Sequence, residues 1–600
     1  MEISRTPVTV HSVPKVNRSN KFLRAPVMGL IFAAALCNTG TAAIPANAVH
    51  PAFDIQAIPL PDMYRNMGIG FLSDGRMVIL TSGSIGGGGG GLPANPDPNS
   101  CVFIVEGATD SKNVRMTLIA NNFKDPSGLN IVNDKIYVSD RDAFYSIAQN
   151  SSTANPSANK TKIIDWPFGA HWHHWVFTPI YHAGKFYAPY SGSIRHGGPS
   201  DVPVTDEYSG AFLQWDPDGS HFVKYCGGLR SPNGANINAD GDMFVVDNQG
   251  SYLPADAFMH MKPGKFYGHR QTNNPPNWAE SLPYQPPAVW IPYPSQVAGA
   301  SNSQPIYVDK GLFAGQWFDG DINGPGLLRF ALEKVAGDYQ GAVFHMTNGM
   351  GNAATNRLTW GPDGALYTGS MEKVGGNWPG GDLMPMYRIT QKPGKSAFEM
   401  LAIHSFKAGF EIEFTQPVDM TTIIPANFSV KQWHYTRSPT YGCCKEADEP
   451  RPVSETKVSQ DGKRVFLAIA GLKAMDYAVD FKIMGVKSAT GEIPWDNEAW
   501  YTLNNISGQD WNPAVHLAQG RLGDSRLQSL VHSEALGRGT LKIVTEIADA
   551  YSLTLRSLSG AVVWRSGEQG PISISLSPGA GLYVLEVRHG SRSFARKLVL

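Results

Sequence analysis

Cross-linking residues are scarce in this chain. Five cysteines occur in 600 residues, and none belongs to a C-x-x-C pair, which removes the spacing of a structural zinc site and the C-x-x-C-H of covalent haem. An excess of one charge is also lacking: 50 basic against 51 acidic side chains leave a formal net charge of −1. Nothing in that balance points to nucleic acid or an anionic membrane as partner. Past the N-terminus no apolar run is long enough to read as a transmembrane helix. The glycine run Gly86 to Gly91 has no Lys-Ser/Thr after it to open a helix, so it reads as a surface loop rather than a phosphate cradle.

What the chain does have is glycine, proline and apolar residues: 63 Gly, 43 Pro and a hydrophobic content of 42%. Together these describe a loop-rich globular protein, long enough for two or more domains. Residues 1–48 read as an export signal, with a basic leader to Arg24, an apolar core from Ala25 to Leu36, and the A-x-A pattern Ala46-Asn47-Ala48. A lipoprotein site at Cys37 is the alternative, but Leu36 stands where such a site needs a small residue. The expected location is secreted or at the cell surface. Export permits disulfides: Cys443 and Cys444 as a vicinal pair, or Cys101 with Cys226, with buried thiols as the other possibility.

Repetition carries the architecture. Strand pairs recur at Gly70 to Thr81, Gly128 to Asp140, Trp175 to Tyr190, Ala235 to Asp247, Ile306 to Asp321 and Leu358 to Gly369. Most turn at Asp74-Gly75, Asn133-Asp134, Ala183-Gly184, Asp240-Gly241 or Asp363-Gly364; the Ile306 unit departs from this pattern. Six such units predict a six-bladed β-propeller over 49–395. Short alternating strands over 404–505, closing on Trp500-Tyr-Thr-Leu, predict an Ig-like β-sandwich. A polar linker, 506–538, leads to a small C-terminal β-domain, 539–600. The fold class is therefore all-β. The segment Pro275 to Pro305, rich in Pro and aromatics (Trp278, Tyr284, Trp290, Tyr293), either roofs a site or packs onto the propeller.

Three stretches carry a resemblance: L-R-S-P-N-G from Leu229, D-G-D-M-F-V-V-D-N from Asp240 and P-G-K-F-Y-G from Pro263. Their order is similar to the soluble quinoprotein (PQQ-dependent) sugar dehydrogenases and to a broader family of secreted, membrane-associated dehydrogenases. The blocks G-L-F-A-G-Q-W-F-D-G-D from Gly311 and N-R-L-T-W-G-P-D-G-A-L-Y from Asn356 extend it. The tail resembles the sorting domain of type IX secretion through Pro578, Gly579, Tyr583, Val584 and Lys597, with an ordinary small β-domain as the alternative.

The resemblance implies site residues. His171 or His173, in Ala170-His-Trp-His-His-Trp175, matches a general base that takes a sugar hydroxyl proton, a task that suits imidazole. Metal binding by this His pair and plain packing are the other readings. Arg230 matches an arginine that steadies substrate and reduced quinone; the family's following Asn is Ser231. Asp256 and Tyr267 match positions that supply oxygen to Ca²⁺, although the next acidic residue is replaced by Ala257. Asp247, Asn248, Asn323 and Arg357 fall in the expected quinone-binding loops. Pyrroloquinoline quinone (PQQ) carries three carboxylates, yet Asn323 and Asn356 stand where cations are expected, leaving Arg329, Arg357 or Lys262 to substitute. Two functions follow: a secreted PQQ-dependent oxidoreductase passing electrons from a sugar or related alcohol to an external acceptor, or a non-catalytic carbohydrate- or surface-binding propeller. Cations facing the channel favour the first, amides and aromatics the second.

Overall fold

Runs such as Lys135–Ser139 and Met243–Asp247 are rich in β-branched and aromatic residues and are buried almost throughout, so they form strands covered on both faces. Left-handed backbone at the joining turns reverses the chain: Asn133 and Asp134 take φ of 49° and 60°, and Gly241 takes 88°, as tight hairpins demand. The computed structural model describes residues 49–60, 65–83, 96–110, 113–168, 171–195, 206–270, 278–292, 298–323, 326–348, 353–373, 386–514, 531–537, 540–545, 550–557, 562–569, 572–576, 578, 582–589 and 592–599. The export leader, the glycine run, Tyr293 and Gly579 lie outside the described residues, as do the side chains of Arg592, Arg596 and Lys597.

Hairpins join into antiparallel sheets in chain order. The first holds Arg65–Phe71, Met77–Ser82, Cys101–Glu106 and Arg115–Ala120; the second runs from Gly128–Val132 to Thr161–Asp165; the third from Ile180–His182 to Val223–Gly227; the fourth from Pro232–Ile237 to Val289–Ile291. The fifth begins at Asn302–Tyr307, and the sixth combines Ala353–Trp360, Leu366–Lys373 and Met386–Gln391 with the early strand Phe53–Ala57. Phe53 pairs with Gln391, so the start of the described chain closes the last sheet. First strands of successive sheets touch one another all the way round, which makes the arrangement propeller-like. Glycine permits the closest approaches: a Cβ on Gly68 would run into Leu129, and one on Gly234 would lie 2.7 Å from the Gln304 backbone.

The fifth sheet does not end at its fourth strand. Asp338–His345 pairs antiparallel with Glu498–Leu503, Ala342 opposite Tyr501, and the ladder continues through Tyr477–Ile483, Phe428–Tyr435 and Lys445–Pro450. A facing sheet of Met400–Phe406, Gly409–Phe414, Arg464–Ile469 and Val453–Val458 completes a second module. Its core includes Phe410, Val465, Leu467 and Phe481, and it incorporates Ala342 and Phe344 from the fifth sheet.

Polar groups reinforce the joint. Arg329, 1% exposed, donates to Gln316 Oε1, Leu401 O and Met400 O, each at 2.7 Å, and pairs with Glu399 at 3.3 Å. Glu399 also meets His50 Nε2 at 2.8 Å. The aromatic segment belongs to this joint: Trp290 donates from Nε1 to Asp476 Oδ1 at 2.6 Å, Tyr284 donates to Asp476 Oδ2 at 2.8 Å, and Arg437 lies 4.0 Å over the Tyr284 ring. These rings pack between the modules.

From Val531 onward the chain adds two small sheets, of three and four strands, around Leu541, Leu553 and Leu585. Tyr583 donates to Pro578 O at 2.8 Å. Cys443 and Cys444 are joined as a vicinal disulfide, while Cys101 and Cys226 are buried free thiols. The cross-pair Cys101–Cys226 therefore does not form. Among the described residues no helix is long and apolar enough to cross a membrane.

Removing one member of a buried ion pair strands the other in low dielectric. Glu399→Ala should destabilise the joint by about 3–5 kcal/mol, read as a lower urea midpoint than wild type.

Candidate functional site

The turn between the third and fourth sheets is built around one carboxylate. Asp247, at the end of Met243–Asp247 and fully buried, accepts the backbone N–H groups of Arg230 and Ser231 at 2.7 Å and of Asn248 at 2.8 Å. Burial raises its pKa to about 6 against these three donors. Asp247 therefore shapes the site by holding the backbone that presents Arg230 and Ser231.

His173 faces that turn. Its Nδ1 donates to Gly192 O at 2.8 Å, because a carbonyl can only accept. The neutral ring then keeps its lone pair on Nε2, which lies 3.1 Å from the Ser231 hydroxyl. Burial, with the nearby Arg230 charge contributing, holds the His173 pKa well below the ordinary value. His171 is half-buried, and its Nδ1 accepts the His173 N–H at 3.1 Å; it supports His173 rather than sharing its position. His174 is spent elsewhere. Its Nε2 meets Ser193 Oγ at 2.8 Å and its Nδ1 meets Asp206 at 3.2 Å. The order hydroxyl, imidazole, carboxylate is that of a nucleophile triad, but Ser193 has no exposed surface and also bonds the Ser209 hydroxyl at 3.3 Å. This network ties the loops of the third sheet together.

Beside Arg230 three buried acceptors lack partners. Asn248 donates from Nδ2 to Ser231 O at 2.7 Å, and its Oδ1 has no partner. Gln249 Nε2 reaches the Tyr441 hydroxyl at 3.4 Å, and its Oε1 has none. His269 is fully buried; its Nδ1 donates to Arg270 O at 3.1 Å, so the unpartnered Nε2 is a second imidazole lone pair. That atom would lie 3.5 Å from a Cβ on Gly192, the residue whose carbonyl holds His173. Burial and Arg230 depress the His269 pKa to about 3. Gln249, His269 and Tyr441 escaped sequence reasoning. The one available signal was that Gln249 and His269 directly adjoin the two matched motifs.

Of the expected cofactor residues, Asp247 and Asn248 lie at the Arg230 turn, while Arg357 and Asn323 bond within their own surroundings. Arg357 lies 1% exposed where the sheets meet. It donates to Met67 O at 3.0 Å, Asn233 Oδ1 at 3.2 Å, and Asn356 O and Oδ1 and Ser127 O at 2.9 Å. Burial alone lowers its pKa to about 9. Arg329 is committed to the joint, and Lys262 is paired with Asp338. Asn323 uses its backbone N–H on Asp321 at 2.9 Å. A tricarboxylate needs donors and cations, whereas the side chains round Arg230 offer lone pairs, so these residues do not fit pyrroloquinoline quinone. Both Asp256 oxygens accept backbone N–H groups, from Gln249 at 2.6 Å and from Ser301 and Asn302 at 2.8 and 3.1 Å. The Tyr267 hydroxyl is latched between His260 O at 2.6 Å and Lys262 N at 2.7 Å. Asp256 and the Tyr267 hydroxyl are each engaged by backbone groups, and among the described residues no three His, Cys, Asp or Glu side chains converge to hold an ion.

No protein-family model matches the chain, and no curated protein does. Solved structures do. The PQQ-bound aldose sugar dehydrogenase of Streptomyces coelicolor is 15% identical over 57% of this chain and 100% of its own, with a TM-score of 0.38. The PQQ domain of pyranose dehydrogenase from Coprinopsis cinerea is 11% identical over 57% of this chain and 96% of its own, TM-score 0.41. PorZ, a surface component of the type-IX secretion system of Porphyromonas gingivalis, is 11% identical over 89% of this chain and 81% of its own, TM-score 0.18. The likeness is one of broad fold.

Two measurements separate site from scaffold. Arg357→Met should lower stability by about 2–4 kcal/mol in urea unfolding, because several carbonyl and amide acceptors lose their donor, while leaving the His173 environment intact by NMR. His173 stays neutral in the folded state while the unfolded chain takes a proton below the ordinary imidazole value of 6.5. Its contribution to stability is thus present above that pH and is lost as pH falls. The His173 ring resonances should show no titration step near neutral pH.

Proposed function

We propose that the centre formed by His173, Ser231, Arg230, Asn248, Gln249 and His269 binds a neutral polyhydroxylated ligand, a sugar or related polyol, without a resident quinone. The observation carrying this reading is the sign of the unpartnered groups. Asn248 Oδ1, Gln249 Oε1 and His269 Nε2 are buried acceptors with no donor, and each unmet acceptor costs on the order of 1–3 kcal/mol until a donor arrives. Hydroxyl groups supply donors, and Arg230 supplies the complementary cation. Carboxylates supply none.

In this reading residues 49–395 form a six-bladed propeller of quinoprotein dehydrogenase type and 404–505 an Ig-like sandwich. The segment 506–538 is a linker whose last residues, Val531–Gly537, already pair with Thr540–Thr545 of the tail, and 539–600 is a sorting-like domain on an exported, surface-associated protein. A second reading, oxidation of the bound alcohol, is favoured by one observation: the Gly192 carbonyl fixes His173 in the tautomer whose Nε2 can take a hydroxyl proton. The hydride would then pass to an acceptor of the quinone class supplied from outside the chain, which leaves as the hydroquinone.

Calorimetric titration of the mature chain with neutral mono- and oligosaccharides, and separately with pyrroloquinoline quinone, decides between them. Saturable binding of a sugar, weakened about tenfold or more in Arg230→Ala, with no saturable heat from the quinone, is the expected result. Tight quinone binding would reverse the order of the two readings.

A further inference from the structure

The second module reaches into the site. Its hairpin of Phe428–Tyr435 and Lys445–Pro450 is joined by the loop 436–444. The loop's root is closed by Thr436 N–H to Cys444 O at 2.9 Å and Cys444 N–H to Thr436 O at 3.0 Å. From there the loop crosses to the first module. Tyr252 N–H donates to Ser438 O at 2.7 Å, and Gly442 N–H donates to Gly250 O at 3.1 Å. Between those two anchors stands Tyr441, with the Arg230 guanidinium carbon 5.3 Å from its ring centroid and its hydroxyl 3.4 Å from Gln249 Nε2.

Arg230 is thereby packed. The bare Cα of Gly250 leaves room for its guanidinium, with which a Cβ would collide, and the Tyr441 ring lies within cation–π distance of it. The arginine is 3% exposed, whereas Tyr441 is 38% exposed, so the tyrosine is the outer layer and the arginine the inner one. A long side chain with several rotatable bonds reaches a ligand in one geometry only when its alternatives are blocked. A cation over an aromatic face does this while keeping the charge available at the edges of the guanidinium plane.

We propose that Tyr441 is a positioning residue of the site, acting through Arg230, so that the ligand centre is a composite of both modules. The inference rests on the polyol reading for its ligand, but the contact itself can be tested without one. Arg230 modification by phenylglyoxal, followed by peptide mass spectrometry on the full mature chain, reports how well Tyr441 covers it. Tyr441→Ala should raise the Arg230 modification rate about fivefold or more, and Tyr441→Phe, which keeps the ring, should leave the rate near that of wild type.

A double-mutant cycle on sugar affinity then tests function. Tyr441→Ala should weaken binding about fivefold in the wild-type background and have no further effect in Arg230→Ala, with Tyr441→Phe restoring most of the loss. An unchanged modification rate in Tyr441→Ala would overturn the proposal, as would equal effects of Tyr441→Ala in both backgrounds. Should no sugar bind the wild type, the polyol reading falls, and the modification rates alone decide whether Tyr441 holds Arg230.

Discussion

The antiparallel pairing of Asp338–His345 with Glu498–Leu503 is the constraint on which the rest of the molecule depends. An outer propeller strand ordinarily presents a row of unpaired backbone groups to solvent. Here the row is consumed by the second module, and the two hydrophobic cores merge through Ala342 and Phe344. Once that ladder sets the register, Phe428–Tyr435 has a fixed place in the same sheet, and the loop at its end projects toward the turn carrying Arg230. Asp476, Arg437, Tyr284 and Trp290 then lock the angle between the modules. The position of Tyr441 is thus a consequence of strand pairing many residues away.

Charge placement divides the buried cations by task. Arg329 has a carboxylate partner and holds modules together; Arg357 has neutral partners only and holds sheets together. Arg230 is set by its backbone as well: its amide goes to Asp247, while its guanidinium has the Asn248 carbonyl at 3.5 Å and the Tyr441 ring. A cation beside unpartnered acceptors offers a ligand donors and acceptors together.

Hairpin positions were legible because they depend on local chemistry. Asp240-Gly241 and Asn133-Asp134 mark their turns by residue type alone. Motif order leads to Arg230 and to His171 or His173, but the sequence does not choose between the two histidines, since the tautomer of His173 rests on Gly192 O, outside the motif. Asp247 meets a similar limit. A carboxylate beside a predicted cofactor loop looks like a ligand until its oxygens are seen to be filled by three backbone donors. His269 and Tyr441 carry no spacing signal, because the separation in space that gives them meaning is created by tertiary packing.

The same argument accounts for several residues that match the resembled pattern through the needs of folding. Asp256 and Tyr267 are each fixed by backbone partners within their own sheet or its neighbour, so folding alone is reason to keep them. Arg357 is likewise kept by carbonyls from three different sheets. Residues whose bonds are satisfied internally report on fold, and those left with an unmet acceptor report on ligand. Beside Arg230 the unmet acceptors are those of Asn248, Gln249 and His269, which adjoin or end the matched motifs.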